Sequence, residues 1–323
     1  MSILVYTENW DGKFKKLSFE LVSYAVRIAA GEGSDVTAIS IGDVADEELN
    51  KLGMYGAKTI LSVNTGKVAG LDNQLYTGIL AKAAEKTGAK IILLANNNTG
   101  KAVAPRLSVR LKAGLASGVT SLPDSIQPLI VRRKVFSGKA FSKIKILSDI
   151  SVLTLSQNSF EVIETSNTAS IESFDPGIDP GIAKTEVTDV QKQSGKILLT
   201  DAETVVSGGR GMKSPDNWKP LEELADILGG ALACSRPVSD EGWRSHDEHT
   251  GQTGKIIAPN LYIAFGISGA IQHLAGVSSS KCIVAVNTDK DAPIFEAADY
   301  GIVGDAAKVL PEMIHEIKAA KSQ

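Results

Sequence analysis

The chain has 323 residues, a formal net charge of −3 at pH 7 and an aromatic content of only 5%. This length exceeds that of a typical single core and predicts two domains. The small negative charge and the few aromatic rings disfavour nucleic acid as a partner and give no electrostatic attraction to an anionic membrane.

The N-terminal segment MSILVYTENW and the two cysteines bear on the compartment. The segment lacks the basic region and long apolar core of a secretory signal, and no apolar run approaches the roughly 18 residues of a membrane helix. Cys234 and Cys282 each lie in an apolar run typical of a strand, which favours free thiols over a disulfide. These features predict a cytoplasmic protein without membrane insertion.

Strand and helix patterns alternate in the first part of the chain. Short apolar runs rich in β-branched residues predict strands at 3–8, 35–41, 58–63 and 90–95. Helices are predicted over 18–30, where Leu21, Tyr24, Ala25 and Ile28 share one face, and over 73–88. This alternation is typical of a parallel sheet covered by helices on both faces.

The pattern changes between residues 127 and 190. PLIVRRKVFSGKAFSKIKIL and ISVLTLSQNSFEVIE predict strands without an intervening helix, with a hairpin turn at Phe136-Ser137-Gly138-Lys139. We therefore expect the first domain to end in antiparallel strands. IESFDPGIDPGIAKTEV (171–187) contains two Asp-Pro-Gly triplets, which disfavour both helix and sheet and predict a linker. The N-terminal α/β domain is accordingly placed at 1–190, with the linker near 171–190.

The second domain is expected over 191–323, where the alternation resumes. The apolar runs AETVVSG, ALACS, LYIAF and KCIVAVN predict strands, and a last strand at GIVG precedes a C-terminal helix with a basic end. Leu221, Leu224, Ala225 and Leu228 form one face of a helix that Gly229-Gly230 should end. The predicted fold class is therefore α/β with two domains, the second being a Rossmann-like parallel sheet.

Four turns rich in glycine or hydroxyl groups follow predicted strands of the second domain. They are SGGRG (207–211), CSRPVSD (234–240), TGQTG (250–254) and GISGAIQH (266–273). Ligands of open parallel sheets bind outside the carboxyl ends of the strands, so these turns predict one common site. Glycines would let the backbone approach a phosphate, and Ser268 is the predicted N-cap of a short helix that ends at Gly276.

Two other kinds of function are open at this point. A nicotinamide-dependent oxidoreductase or transferase would predict a G-x-G-x-x-G fingerprint after the first strand of the second domain, and that fingerprint is missing. A nucleotide-sensing module would predict phosphate-binding loops in the first domain. Only SIGD (40–43) and NNNTG (96–100) are candidates for such loops.

Several basic residues and histidines have simpler interpretations than a functional one. His246 and His249 form H-x-x-H in a polar loop without further ligand residues, so no metal site is predicted. His315 is expected to be solvated on the last helix, and Arg132-Arg133-Lys134 to be a solvated hairpin, with a docking role as the alternative. Arg236 could instead pair with Asp240 or Glu241.

LYIAFGISGAIQHLAGVSSSKCIVAVN and DAPIFEAADYGIVGD closely resemble the signature of the electron-transfer flavoprotein alpha subunit. SGGRG, a Cys234-Ser235-Arg236 turn and GQTG precede it in the family's order. The resemblance is dense over about 200–315 and looser in the first domain, where it rests on the opening VYTEN.

The resemblance implies an electron carrier without substrate turnover or catalytic residues of its own. It implies FAD in the C-terminal domain, and a heterodimer with a beta subunit that the N-terminal domain faces. Electrons would pass from flavoprotein dehydrogenases, such as the acyl-CoA dehydrogenases of fatty acid β-oxidation, to an acceptor such as a membrane quinone oxidoreductase. A simple or a bifurcating carrier, and AMP or a second FAD on the beta subunit, remain alternatives.

The same resemblance assigns residues to the parts of FAD. It places Arg210 and Ser268 near the pyrophosphate, and Asn287 and Asp305 near the adenosine. The residues around the ribityl chain and the flavin ring would be Ser235, Gln252, Thr253 and His273, with Arg236 over the ring face. The neighbouring residues expected to complete the site are Thr250, Gly251, Gly269, Ala270, Ile271 and Gln272.

The short distance in sequence between Ser268 and His273 also makes a prediction about the cofactor's shape. One residue can serve the pyrophosphate and the other the flavin ring only if FAD is folded back. His273 would then donate a hydrogen bond to the O2/N1 edge of the flavin, and Arg236 would raise its reduction potential.

Overall fold

A computed structural model describes residues 2–64, 72–136, 138–183, 185, 187–189 and 197–322 of the chain. It contains two compact units. The first comprises Met1–Val135 and Phe141–Gln191, and the second comprises Phe136–Ala140 and Lys192–Gln323. Within the described residues, no helix is both long and apolar enough to cross a membrane.

The first unit is built from strands and helices in alternation, followed by a run of strands. Its strands are β1 (Ser2–Tyr6), β2 (Asn9–Trp10), β3 (Lys13–Phe14), β4 (Asp35–Ile41), β5 (Thr59–Val63), β6 (Ala89–Ala95), β7 (Gly114–Val119), β8 (Ser125–Ile126), β9 (Leu129–Val135), β10 (Ala140–Ile146), β11 (Ser151–Leu155) and β12 (Ser170–Ser173). Its helices are α1 (Lys16–Ala30), α2 (Asp46–Met54), α3 (Asn73–Thr87) and α4 (Asn98–Leu111).

A large sheet with the strand order β10-β9-β7-β11-β6-β1-β4-β5-β12 forms the centre of this unit, and β8 pairs with β9. Successive residues of a strand face opposite sides of a sheet, and β1 shows the consequence. Ile3 packs into the core that contains Tyr24 of α1, whereas Leu4 packs into the core that contains Ile79 of α3. Because both faces are covered, β1 is an almost continuous apolar run.

The sequence predicts that β11 belongs to an antiparallel end of the first domain, and this prediction is wrong. β11 lies inside the sheet and pairs in parallel with both β6 and β7. All five of its residues are buried, which suits a strand with helices on both faces. Antiparallel pairings among the described residues include those of β9 with β7 and β8 and of β2 with β3. The predicted hairpin turn at Phe136-Ser137-Gly138-Lys139 includes Ser137, which lies outside the described residues.

Two further segments differ from their predicted structure. SQNSFEVIE (156–164) forms no strand, and the buried carboxylate of Glu20 accepts hydrogen bonds from the backbone N–H groups of Asn158, Ser159 and Phe160. In the predicted linker, β12 pairs in parallel with β5. The Asp-Pro-Gly triplets begin only after this strand, so they do not oppose its pairing with the open edge of β5.

The second unit is a five-stranded parallel sheet covered on both faces. Its strands are β13 (Thr204–Gly208), β14 (Ala231–Cys234), β15 (Leu261–Phe265), β16 (Cys282–Asn287) and β17 (Tyr300–Val303). Its helices are α5 (Lys219–Leu228), α6 (Arg236–Asp240), α7 (Ile271–Val277), α8 (Ile294–Ala297) and α9 (Ala306–Lys321). Together with the first unit this confirms the predicted α/β fold class with two domains.

Neighbouring residues of β13 pack into the cores on opposite faces of the sheet, as those of β1 do in the first unit. Val205 packs into the core that contains Val277 of α7, and Val206 into the core that contains Leu221 of α5 and Leu310 of α9. α5 begins with Lys219-Pro220 and ends at Gly229, whose left-handed φ of 62° closes the helix as the sequence predicts.

Candidate functional site

The strand order β14-β13-β15-β16-β17 fixes where a ligand would bind. The chain runs from β13 to β14 on one side, and then crosses to β15 on the other side of β13. Such a reversal is a topological switch point, which opens a crevice at the carboxyl ends of the two central strands. The turns that follow β13 and β15, SGGRG and GISGAIQH, flank this crevice.

These two turns are held together by direct backbone contact. The N–H of Gly209 donates to the carbonyl of Phe265 at 2.8 Å, and that of Gly211 donates to the carbonyl of Gly266 at 3.0 Å. A Cβ on Gly211 would lie 2.7 Å from Cα of Gly266, which has a φ of 61°. Glycines are therefore required here first for the packing of one turn on the other, a reason that the sequence interpretation had not given.

Helix α7 begins later than the sequence predicts. Its N-cap is Ala270, and Ser268 lies outside the helix, so the predicted capping role of Ser268 is wrong. The reason is Gly269, whose φ of 83° is not helical. The carbonyl of Ser268 instead accepts a hydrogen bond from the N–H of Ile294 at 3.0 Å, and the Ser268 side chain is exposed.

His273 is the buried polar group of α7. Its Nε2 lies 2.8 Å from the hydroxyl of Tyr262, while its Nδ1 is buried and makes no hydrogen bond of regular geometry in the described part of the chain. The backbone carbonyl of Thr250 nevertheless lies close enough to the ring to act on its ionisation. Burial lowers the pKa of His273 to about 4, although the backbone carbonyl of Thr250 opposes this shift. The imidazole is therefore neutral at pH 7, with one of its nitrogens still in need of a partner.

The TGQTG turn lies against α7. The N–H of Thr250 donates to the carbonyl of Cys234 at 3.0 Å, which places the turn beside the carboxyl end of β14. The N–H of Gln252 donates to the carbonyl of Gln272 at 2.7 Å, and a Cβ on Gly276 would lie 2.4 Å from Cα of Gly251. The side chains of Gln252 and Thr253 remain exposed next to the buried His273.

The turn after β14 contributes one buried hydroxyl and one exposed cation. Ser235 is buried, and its N–H donates to the carbonyl of Gly208 at 3.1 Å. Arg236 is 63% exposed and its Nε lies 3.2 Å from Oδ2 of Asp240, the ion pair that the sequence offered as an alternative role. Arg210 is also exposed, and its Nη1 lies 3.7 Å from Oε1 of Glu241.

Asp305 and Asn287 mark the carboxyl ends of the last two strands. Asp305 caps α9 through the N–H of Ala307 and lies 3.0 Å from Nζ of Lys213. The Ala307 hydrogen bond and then Lys213 lower the pKa of its carboxyl group. Nδ2 of Asn287 donates to the carbonyl of Ile267 at 2.9 Å. A cavity of about 210 Å³ lies beside Asp305, and its lining includes Met212, Lys213, Asn217, Leu310 and Pro311.

The sequence interpretation missed three polar residues that contact the candidate site or the loop beside it. Tyr262 lies inside an apolar strand pattern, which gives no sign of its contact with His273. Lys213 lies in a turn, where nothing in the local sequence indicates its ion pair with Asp305. Arg244 donates two hydrogen bonds to Glu248 and one to Glu222 at 2.7 Å, and so ties the loop before TGQTG to α5. The i,i+4 spacing of Arg244 and Glu248 is the signal that could have revealed this network.

The remaining histidines and cysteines have structural surroundings. Nδ1 of His246 lies 2.8 Å from the hydroxyl of Ser239, and His315 is exposed as expected. The described residues contain no group of three or more His, Cys, Asp or Glu side chains that could hold a metal ion. Both cysteines are free thiols, as predicted, with Cys234 buried and Cys282 half-buried.

The basic hairpin is less solvated than expected. Nε of Arg132 lies 2.9 Å from Oδ1 of Asp124, and Nη1 of Arg133 donates to the hydroxyl of Ser117 at 3.1 Å. Burial lowers the pKa of Lys134. These contacts give the cluster a structural role, and a docking role stays a prediction.

Comparison with known proteins identifies the family. Residues 3–178 match the family model of the electron transfer flavoprotein domain, and residues 198–278 match that of the electron transfer flavoprotein FAD-binding domain. The chain belongs to the electron transfer flavoprotein family, as an alpha subunit. The cofactor of its C-terminal domain is FAD.

Relatives cover nearly the whole chain. The electron transfer flavoprotein subunit alpha of Syntrophomonas wolfei is 36% identical over 97% of this chain and 98% of the relative. That of Bacillus subtilis is 35% identical over 98% and 97%, and the mitochondrial subunit of Dictyostelium discoideum is 38% identical over 98% and 92%. The similarity therefore spans both units.

Proposed function

We propose that this chain is the FAD-carrying subunit of a heterodimeric electron carrier. It would accept electrons from flavoprotein dehydrogenases, such as acyl-CoA dehydrogenases, and pass them to an acceptor such as a membrane quinone oxidoreductase. The observation that carries this proposal is the buried Nδ1 of His273 on α7, the helix that follows β15, since this atom makes no hydrogen bond of regular geometry among the described residues. A buried polar atom of this kind calls for a ligand that hydrogen-bonds to it.

The surroundings of this atom fit FAD. The residues predicted to hold the cofactor lie in the turns, in the first residues of helices α6 and α7, and at the end of β16, where they combine buried and exposed polar groups with two exposed cations. Arg210 and Ser268 would hold the pyrophosphate, and Asn287 and Asp305 the adenosine. Ser235, Arg236, Gln252, Thr253 and His273 would surround the ribityl chain and the flavin.

The chemistry of electron transfer would come from the flavin, which accepts and releases single electrons when bound. The contribution of the chain is to bind, orient and bias it. A neutral His273 offers a hydrogen bond without bringing a full charge into a buried place. Arg236 adds a positive charge at an exposed place, and Asp240 partly compensates it.

A partner subunit is part of the proposal because the side chains assigned to the flavin end are largely exposed. Gln252, Thr253 and Arg236 face solvent in the isolated chain. A flavin bound there would be open on that side, as a carrier that meets several donors requires. A beta subunit would cover part of this opening.

A nucleotide-binding function of the first domain has little support from its two candidate loops. In NNNTG, Asn97 caps α4 through the N–H of Gly100, and a Cβ on Gly100 would lie 1.7 Å from the carbonyl oxygen of Ala95. The side-chain amide of Asn97 also donates to the carboxylate of Glu8 at 2.9 Å. In SIGD, Asn9 donates to the carbonyl of Ile41. These groups are used internally, and the Glu8 carboxylate would repel a phosphate.

Co-expression with a beta subunit tests the proposal. The purified complex should show flavin absorbance bands, contain one FAD per alpha chain, and be reduced when an acyl-CoA dehydrogenase and its acyl-CoA substrate are added. A complex without flavin would contradict the proposal. A flavin complex that NADH reduces and acyl-CoA dehydrogenase does not would favour a nicotinamide-linked or bifurcating function instead.

A further inference from the structure

Tyr262 is a polar neighbour of His273 that comes from a different element. It is the second residue of β15, is fully buried, and its hydroxyl lies 2.8 Å from Nε2 of His273 on α7. The two rings are inclined at 45°, with centroids 6.1 Å apart, so the contact is made by the polar atoms and not by stacking. Nε2 of His273 is thus occupied by Tyr262, whereas Nδ1 makes no hydrogen bond of regular geometry within the described residues, with the Thr250 carbonyl nearby.

The protons of this pair can be counted. Burial raises the pKa of Tyr262 well above its usual value, although Ser207 opposes the rise, so the phenol keeps its proton. Ser207 Oγ is buried and has no hydrogen-bond partner of regular geometry among the described residues, so its hydroxyl is free to turn towards the phenol oxygen, which the Thr250 hydroxyl also approaches. If the phenol oxygen accepts from Ser207, its own proton is directed at Nε2. A neutral imidazole that accepts at Nε2 must carry its proton on Nδ1.

We propose that Tyr262 is a positioning residue that donates to Nε2 of His273 and thereby fixes the imidazole proton on Nδ1, the buried nitrogen that makes no hydrogen bond of regular geometry within the described residues and would be offered to FAD. This inference rests on the proposed FAD site. The flavin offers carbonyl oxygens and a ring nitrogen as acceptors, and Nδ1–H is the donor that they require. The opposite tautomer would turn a lone pair of Nδ1 towards an acceptor, and a hydrogen bond would be replaced by repulsion.

The tautomer can be observed directly. The chain has four histidines, so ¹⁵N-histidine labelling of the alpha subunit in the FAD-loaded heterodimer gives few signals, and His273 is assigned by their loss in His273→Gln. We expect a protonated, pyrrole-type Nδ1 and a pyridine-type Nε2. A proton on Nε2 in the unmodified protein would overturn the proposal, whatever any variant of Tyr262 does.

Tyr262→Phe tests the cause of the preference. It should give a mixture of the two tautomers and weaken FAD binding by about 5-fold, in the range for one lost hydrogen bond. The matched control is Tyr24→Phe, because Tyr24 is equally buried and donates its hydroxyl proton to Ser121 in the first unit. That control should leave the His273 signals and FAD affinity unchanged.

The possible failures can be distinguished. If Tyr262→Phe binds FAD and retains only the Nδ1–H tautomer, the positioning role is wrong and the FAD site stands. If the unmodified heterodimer binds no FAD, the proposed function is wrong, and this inference is overturned with it. If Tyr262→Phe does not fold, the tautomer in the unmodified protein decides.

Discussion

The ionisation of His273 should be visible in the stability of the chain. Its pKa in the folded chain is lowered from 6.5 to about 4, so protons bind the unfolded chain preferentially between these values. The stabilising contribution is therefore complete above pH 6.5 and is lost as the pH falls towards 4. Between pH 7 and pH 5 the free energy of unfolding should fall by about 2 kcal/mol because of this residue alone.

Urea unfolding of the FAD-free chain and of His273→Gln at the two pH values measures this effect. Other titrating groups are common to both proteins and cancel in the comparison. Equal pH dependence of the two proteins would show that the imidazole is not neutral and buried in the way the structure indicates.

Substitutions of Arg236 and Asp240 should change the reduction potential of the flavin in opposite directions. If the guanidinium lies near the flavin, Arg236→Gln should lower the reduction potential, because the reduced forms gain negative charge. Asp240→Asn removes the counter-charge 3.2 Å from Arg236 and should raise the potential. Each change should amount to roughly 0.2–1 kcal/mol per electron, the range for exposed charge pairs. Redox titration of both variants is the test, and unchanged potentials would place Arg236 away from the flavin.

At the scale of elements, the contact between the turns after β13 and β15 should determine the integrity of the site. Gly266 has a φ of 61°, and a Cβ there would lie 2.8 Å from backbone carbons of Gly211. Gly229 offers a matched control with a φ of 62° and nothing within 4 Å of an added Cβ. Gly229→Ala should therefore report only the cost of the left-handed conformation, about 1 kcal/mol.

Gly266→Ala should cost about 2 kcal/mol more than this control, because the two turns must move apart. It should also weaken FAD binding, whereas Gly229→Ala should not. The measurements are urea unfolding and FAD titration of both variants. Similar losses of stability in the two variants would mean that the turns do not depend on their close packing.

At the scale of the whole molecule, retention of FAD should depend on the beta subunit. The side chains of Arg236, Gln252 and Thr253, which are proposed to surround the flavin, are exposed in this chain, and so are Tyr300, Ile302 and Val303 on the edge strand β17. We expect the alpha chain alone to lose FAD during gel filtration or to aggregate, and the heterodimer to retain one FAD. An isolated, monodisperse alpha chain with a full complement of FAD would contradict this.

The sequence alone determined the alternation of elements, most strand positions and the family. These features depend on local signals, namely the periodicity of apolar residues, helix-ending glycines and a dense motif. Such signals can be read from a short segment without knowing which distant segments contact it. β4 and α5 were predicted closely for this reason. The cofactor followed from the motif, since the turns that carry it could be recognised before their arrangement in space was known.

The tertiary structure decided which segments become neighbours. β11 lies in the interior of the sheet because a position with both faces covered favours a fully buried strand. β12 pairs with the otherwise open edge of β5. Position 211 requires a glycine because its backbone packs against Gly266, more than fifty positions away in the sequence. Tyr262 contacts His273 only because β15 and α7 pack together. Such contacts depend on strand order and on packing between distant segments, and no local pattern in the chain records either of them.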